Sequence, residues 1–363
     1  MTNETIAAKK PRLGWLDALR GFTMILVVTN HVALKSFGMQ IRWSAALQFF
    51  LLFRMPLFFF ISGFLAYKAS RLWDARTLRE LSLKKMRVQL IPTIVFFLLY
   101  LAMIPSAPFL DSLQEALASG MKAGYWFTLV LLYMLLTYYL FSYVESKCLP
   151  RRLSWIPITF LFVVSLCLFE TCYLPRYFSW ALGYKGEPNA FMNYSSLVEM
   201  IRYFPFFLFG TMVHRYWDRA QRLMDSSWFF PVVTVLAVVC TLEVIVWHNL
   251  RLAWASFPRT LAMFLLLSMV FMFFRYYRDF FEQTRFGQSL QFIGRRTLDI
   301  YLLHYFFLPK LPMVGEFFRV NRHNFILDTT ASLAIALLVV AFCVLASNIL
   351  RVSPFLKKYL FGR

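Results

Sequence analysis

Long apolar runs alternate with short polar breaks along the whole chain. Read between those breaks, the runs predict ten spans, over residues 14–36, 44–67, 88–104, 125–144, 155–173, 199–213, 229–247, 257–274, 290–308 and 326–350. Most of them reach the roughly 18 residues at which an apolar stretch reads as a bilayer-spanning helix. The sixth is the shortest, but its run from Tyr203 to Gly210 carries no charge and demands burial. No internal repeat is visible, and the longest connection outside the spans, 174–198, is too short for a soluble domain. The pattern predicts an all-α, polytopic membrane helical bundle of about ten transmembrane helices, forming a single domain over 1–363 with no appended soluble domain.

Composition agrees. The 363 residues are 60% hydrophobic and only 15% charged, against about 25% charged in soluble domains. The net charge of +20 would point to nucleic acid in a soluble protein. Here the Lys and Arg sit in short clusters between apolar runs, as in cytoplasmic loops of membrane proteins, so nucleic-acid binding is not expected. With the N-terminus inside, 26 of the 38 Lys and Arg fall on inner segments and 11 on outer ones, leaving Arg54 within the second span. That bias puts both termini in the cytoplasm. The five cysteines lack metal-ligand or disulfide-framework spacing and read as packing residues, and no metal is expected. The first 12 residues are polar and the first apolar run is too long for a signal-peptide core, so no cleavable signal is expected.

Ionisable groups inside spans are costly and become functional candidates. The first span holds Asp17, Arg20, Asn30 and His31. Arg20 and His31 are 11 residues apart, which leaves them about 20° from alignment on one helix face and roughly 16 Å apart along its axis. Asp17 lies one turn from Arg20 and can pair with it. Each alone also fits an interfacial or packing role, but a lipid-facing stripe of all three is energetically poor, so this face is expected to point into the bundle. In the second span, Pro56 predicts a kink and Gly63 a close helix contact, while Ser62 is placed either to meet a ligand or to bond the carbonyl one turn back. Arg54 near mid-span calls for a partner that the sequence does not identify.

The 68–87 segment gathers Lys68, Arg71, Arg76, Arg79, Lys84, Lys85 and Arg87. Such a cluster fits anionic lipid headgroups, or alternatively a phosphate cradle. Toward the end of the chain, Tyr301 and His304 share a helix face inside an apolar run. Glu170, Glu243 and His248, near outer span ends, fit either solvent or an outer vestibule.

Taken together, these residues resemble the acyltransferase family 3 membrane proteins. The matches are Asp-x-x-Arg-Gly (Asp17, Arg20, Gly21), the Arg-x10-His spacing (Arg20, His31), Met-Pro-Leu-Phe-Phe-x-x-Ser-Gly (Met55 to Gly63) and a basic pair before a proline (Lys84, Arg87, Pro92). A Phe-x-x-Phe-x-x-Gly run ending at Gly210 and Gly-x-x-(Ser/Thr)-Leu-x-Ile-Tyr-Leu-x-His (Gly294 to His304) complete them.

The resemblance implies an enzyme transferring acyl groups other than aminoacyl groups, in a bacterial inner (plasma) membrane. It implies O-acylation of a sugar hydroxyl in a surface or exported polysaccharide, with acyl-CoA, acetyl-CoA in the commonest case, as cytoplasmic donor. On this reading His31, Arg20 and Asp17 are catalytic. Arg20, Ser62, Lys84 and Arg87 bind the donor, and Arg54, Tyr301 and His304 contact the acceptor or support the site. His31 either takes the proton of the attacking hydroxyl or carries the acyl group covalently. The rival expectation is a transporter or flippase of a glycan or lipid-linked sugar. Paired broken helices in corresponding halves would favour that class, and the sequence shows no such halves.

Overall fold

A computed structural model describes residues 13–41, 44–105, 107–148, 150, 153–173, 190–247, 257–321, 324–354, 356 and 360. The described residues form an all-α bundle. Its first half comprises α1 (Gly14–His31), α2 (Ala45–Ala66), α3 (Ala75–Lys85), α4 (Ile91–Met103), α5 (Phe109–Ala118), α6 (Trp126–Cys148), α7 (Trp155–Tyr173) and α8 (Ala190–Ser195). Then follow α9 (Leu197–Arg215), α10 (Trp217–Met224), α11 (Phe229–Leu242), α12 (Phe257–Tyr276), α13 (Arg278–Gln283), α14 (Arg285–Arg295), α15 (Thr297–Leu303), α16 (Pro312–Val320) and α17 (Phe325–Leu350). Several starts carry side-chain caps. Ser44, Asp74, Thr284 and Asn324 each accept a hydrogen bond from the backbone N–H three residues on, satisfying one orphan donor of the following helix.

Among the described residues, five helical stretches are long and apolar enough to cross a membrane: Ala46–Ala66, Ala75–Met103, Trp126–Cys148, Pro258–Tyr276 and Phe325–Leu350. The pair α10 and α11, bent by 82°, makes a sixth if counted as one span. This corrects the ten spans expected from the apolar runs. Those runs continue through places where the helix stops or carries charge. The run over 290–308 breaks at Arg296 (φ −112°, ψ 15°) into α14 and the seven-residue α15. The Phe-rich run does sit in the core, but its helix α9 also carries Glu199, Arg202 and Arg215. α1 has 18 residues but includes Asp17, Arg20, Asn30 and His31, which lower its mean hydropathy. It is nonetheless buried on nearly every side. Of the cysteines with described side chains, Cys343 is buried whereas Cys148 and Cys167 are exposed, so packing does not account for all of them.

Four glycines fix how the bundle closes around α1 and α2. A Cβ at Gly63 of α2 would overlap the Phe207 carbonyl of α9, and one at Gly210 of α9 would overlap the Phe60 carbonyl of α2. The same reciprocal arrangement joins α1 to α14, where Gly21 faces the Leu290 carbonyl and Gly294 the Asp17 carbonyl. At both crossings the backbones touch with no room for a side chain, the geometry that small residues permit in membrane helix pairs.

Candidate active site

The end of α1 presents His31 to the 3-10 turn His304–Phe306 that follows α15. Its Nε2 lies 3.2 Å from the Tyr305 hydroxyl, and its Nδ1 is buried with no hydrogen-bond partner among the described residues. The His304 ring stands 5.0 Å from the His31 ring and 4.0 Å from Tyr305. His304 Nδ1 donates to the Tyr301 carbonyl at 2.7 Å. A carbonyl can only accept, so the Nδ1 tautomer is fixed and Nε2 carries the lone pair of the neutral ring.

Facing this cluster is an irregular turn. Lys122, Ala123 and Gly124 all have positive φ, at 46°, 51° and 108°. For two non-glycine residues this conformation is uncommon and needs support from its surroundings. The Lys122 ammonium supplies it by donating to the carbonyls of Leu117, Ser119 and Asn193 at 2.7–2.8 Å. Burial pulls this lysine below its ordinary pKa. The turn aims the Gly124 carbonyl at two tyrosines: Tyr301 Oη donates to it at 2.6 Å and Tyr305 Oη at 3.4 Å. Gly124 is also obligatory sterically, since a Cβ there would overlap the Tyr305 ring. Tyr301 in addition accepts from the Phe127 N–H, and Tyr125 donates to the Leu302 carbonyl, so the start of α6 is clamped to α15.

His31, Arg54, Tyr301 and Tyr305 line one cavity of about 820 Å³. Its walls come from the end of α1, the first half of α2, the end of α4, α5, and the starts of α6, α9 and α12. Arg54 is 8% exposed, and its Nε and Nη1 have no hydrogen-bond partner among the described residues. Lys35 sits with its Nζ 5.5 Å from the centre of the Tyr305 ring, in cation–π geometry. On the side nearest Arg20 along α1, the cavity reaches Met24 of α1 and Tyr301 of α15.

Arg20 does not line this cavity. Its Nη2 donates to Thr297 Oγ1 at 2.9 Å and its Nη1 to Asp17 at 3.5 Å. Lys85 lies close enough to interact electrostatically with Arg20, Arg71, Lys84 and Lys68, so a cationic cluster occupies this opposite end of the bundle. Of the expected site residues, the structure therefore gathers His31, Arg54, Tyr301 and His304 in one place and Arg20 with Asp17 in another. Lys84, in the last turn of α3, and Arg87, between α3 and α4, are exposed and do not line the cavity, which this helical stretch reaches further on at Tyr100. Ser62 donates to the Phe58 carbonyl at 2.9 Å and does not line the cavity. Nor do Glu170, which accepts from Thr260, and Glu243; His248 lies outside the described residues. Sequence reasoning missed Tyr305, Lys35, Arg202 and Arg259. Tyr305 was hidden in an aromatic run that reads as packing, although its position four residues after Tyr301 puts it one helical turn further on.

No group of three or more His, Cys, Asp or Glu able to hold a metal lies together among the described residues. The family model described as an acyltransferase domain matches residues 13–348. No curated protein and no solved structure matches the chain. The chain belongs to this acyltransferase family and is a multi-pass membrane protein of acyltransferase type.

Proposed function

We propose that this acyltransferase-family protein transfers an acyl group, acetyl in the first instance, from acyl-CoA to a sugar hydroxyl of a surface or exported polysaccharide. The observation that carries the reading is the relation between the two cationic sites. The part of the cavity at Met24 and Tyr301 is one helical turn from Arg20 and Thr297, about 6 Å along each helix axis. A donor held by its phosphates at Arg20 and Lys85 would need its thin pantetheine arm to pass only that turn to bring the thioester beside His31. With the Lys/Arg-rich end in the cytoplasm, the donor comes from inside and the part of the cavity remote from Arg20 receives the acceptor from outside. Family membership favours this reading over a transporter or flippase.

In the mechanism, Tyr305 and Gly124 set the tautomer of His31. The Tyr305 hydroxyl donates to the Gly124 carbonyl and accepts from His31 Nε2–H, which leaves the lone pair on Nδ1. His31 Nδ1 takes the proton of the acceptor hydroxyl as its oxygen attacks the thioester carbonyl carbon. The tetrahedral intermediate collapses with cleavage of the C–S bond, and His31 returns the proton to the departing thiolate. The products are the sugar ester and free CoA thiol.

Thiol release from acetyl-CoA by the purified protein, measured with and without a glycan extract, tests the reading; release that no acceptor stimulates would overturn it. Two variants separate the roles. Arg20→Gln raises the KM for acyl-CoA about tenfold, the size of one charge-assisted hydrogen bond, with a smaller change in kcat; an unchanged KM removes the donor role. Tyr305→Phe keeps the ring packing but loses the tautomer-setting hydroxyl. It lowers kcat about three- to tenfold with the donor KM unchanged, and a wild-type kcat would remove Tyr305 from the mechanism.

A further inference from the structure

The mechanism above leaves Arg54 without a task. It is nine-tenths buried, it lines the cavity, and among the described residues no carboxylate lies within ion-pair distance of it. Its Nε and Nη1 have no hydrogen-bond partner there either. A guanidinium withdrawn from water with donors unused is unfavourable by itself, and such a group inside a membrane bundle points to a ligand. Tyr203 and Tyr305 lie near Arg54 and line the same cavity.

Most of the other charged residues of the cavity have the same sign. The charged residues lining the cavity are Lys35, Arg54, Arg202, Arg259 and Glu115. Even when Glu199, the ion-pair partner of Arg202, is included, four cations face two acids. Low-dielectric walls concentrate that excess on whatever enters. A neutral sugar would offer Arg54 no counter-charge.

We infer that the part of the cavity around Arg54 is a subsite for an anionic group, a phosphate or carboxylate carried by the acceptor sugar, with Arg54 as its principal contact. The planar guanidinium fork matches both groups in bidentate fashion. Lys35, on the turn after His31, also lines the cavity and adds long-range attraction. The acceptor class is thereby narrowed to acidic or phosphorylated glycans, among them sugars linked to a carrier through phosphate. Anchoring the anion at Arg54 holds a hydroxyl of the same sugar toward His31. The inference rests on the acceptor-side reading of this cavity.

The test measures binding, so that it does not depend on turnover. The full chain in detergent is titrated calorimetrically with glucose 1-phosphate, glucuronic acid, glucose and CoA, using wild type, Arg54→Met and Arg54→Lys. The expected result is at least about tenfold tighter binding of the two anionic sugars than of glucose. This preference should weaken with added salt, vanish in Arg54→Met and return in part in Arg54→Lys. Equal affinity for glucose and glucose 1-phosphate overturns the inference, as does a preference that survives in Arg54→Met. Loss of CoA binding alone in Arg54→Met also overturns it, by assigning the cation to the donor. An Arg54-dependent sugar-phosphate site in a protein that releases no thiol with any acceptor supports the subsite and defeats the transferase reading instead.

Discussion

Replacing His31 by Gln lowers the rate of acyl transfer by roughly 10²- to 10⁴-fold, the usual contribution of a positioned general base, and leaves acyl-CoA affinity and the melting temperature near wild type. The separation of effects follows from position. His31 lies at the end of α1 on the cavity wall, with its one described hydrogen bond to Tyr305. Arg20, proposed to hold the donor, is roughly 16 Å away along the same helix. Gln keeps much of the side-chain volume and can still meet the Tyr305 hydroxyl, so the packing loss is small, but it has no basic nitrogen. Transfer at the wild-type rate by purified His31→Gln protein would remove His31 from the chemistry altogether. A burst of thiol release equal to the enzyme concentration, seen without acceptor, would assign His31 the covalent role instead of the base role. The held Nε2 and unbonded Nδ1 are compatible with either route, since both need one nitrogen whose lone pair is not engaged in a hydrogen bond.

The fold class and the polar stripe were legible in the sequence because both are periodic. A helix repeat of 3.6 residues puts Arg20 and His31 on one face, and the structure keeps both on the inner side of a helix that is almost wholly buried. The number of spans was not legible, because hydropathy reports composition and not continuity. Nothing in Gly294-Arg295-Arg296-Thr297 distinguishes a break at Arg296 from a helix running through two interfacial arginines. The cavity's chemistry was half legible. Arg54 stood out as a mid-span charge, whereas Lys35, Arg202 and Arg259 sit near span ends, where basic residues ordinarily reach solvent. The Lys122–Gly124 turn was not legible: its left-handed backbone at Lys122 and Ala123 is supported by three carbonyls that Lys122 meets, two just upstream at Leu117 and Ser119 and one at Asn193, 71 positions away. What the motif glycines do was visible only once the helices were placed. Gly63 was expected to allow a close contact, but the partner Gly210, some 150 positions away in sequence, cannot be paired with it from spacing.

That pairing yields the largest effect expected on folding. Gly63→Ala and Gly210→Ala each force α2 and α9 apart against backbone, because the obstructing atoms are the Phe207 and Phe60 carbonyl oxygens and no flexible side chain can yield. Each single change should destabilise the protein by about 1–3 kcal/mol, the range for overpacked sites. The double variant should lose much less than the two singles combined, since a crossing opened for one methyl already has room for the other. Gly120→Ala is the control: its Cβ would meet only the Asn193 side chain at an ordinary 3.6 Å, and its melting temperature should stay at the wild-type value. Strict additivity at Gly63 and Gly210, or tolerance of either change, would show that the two backbones do not touch as described. The consequence for activity goes further than stability. α2 carries Arg54 and α9 carries Arg202 and Tyr203, all on the cavity wall, so the α2–α9 crossing sets how far apart these residues stand. In whatever fraction of Gly210→Ala protein remains folded, acceptor affinity should fall while the donor KM, set beside the α1–α14 crossing at Gly21 and Gly294, stays unchanged.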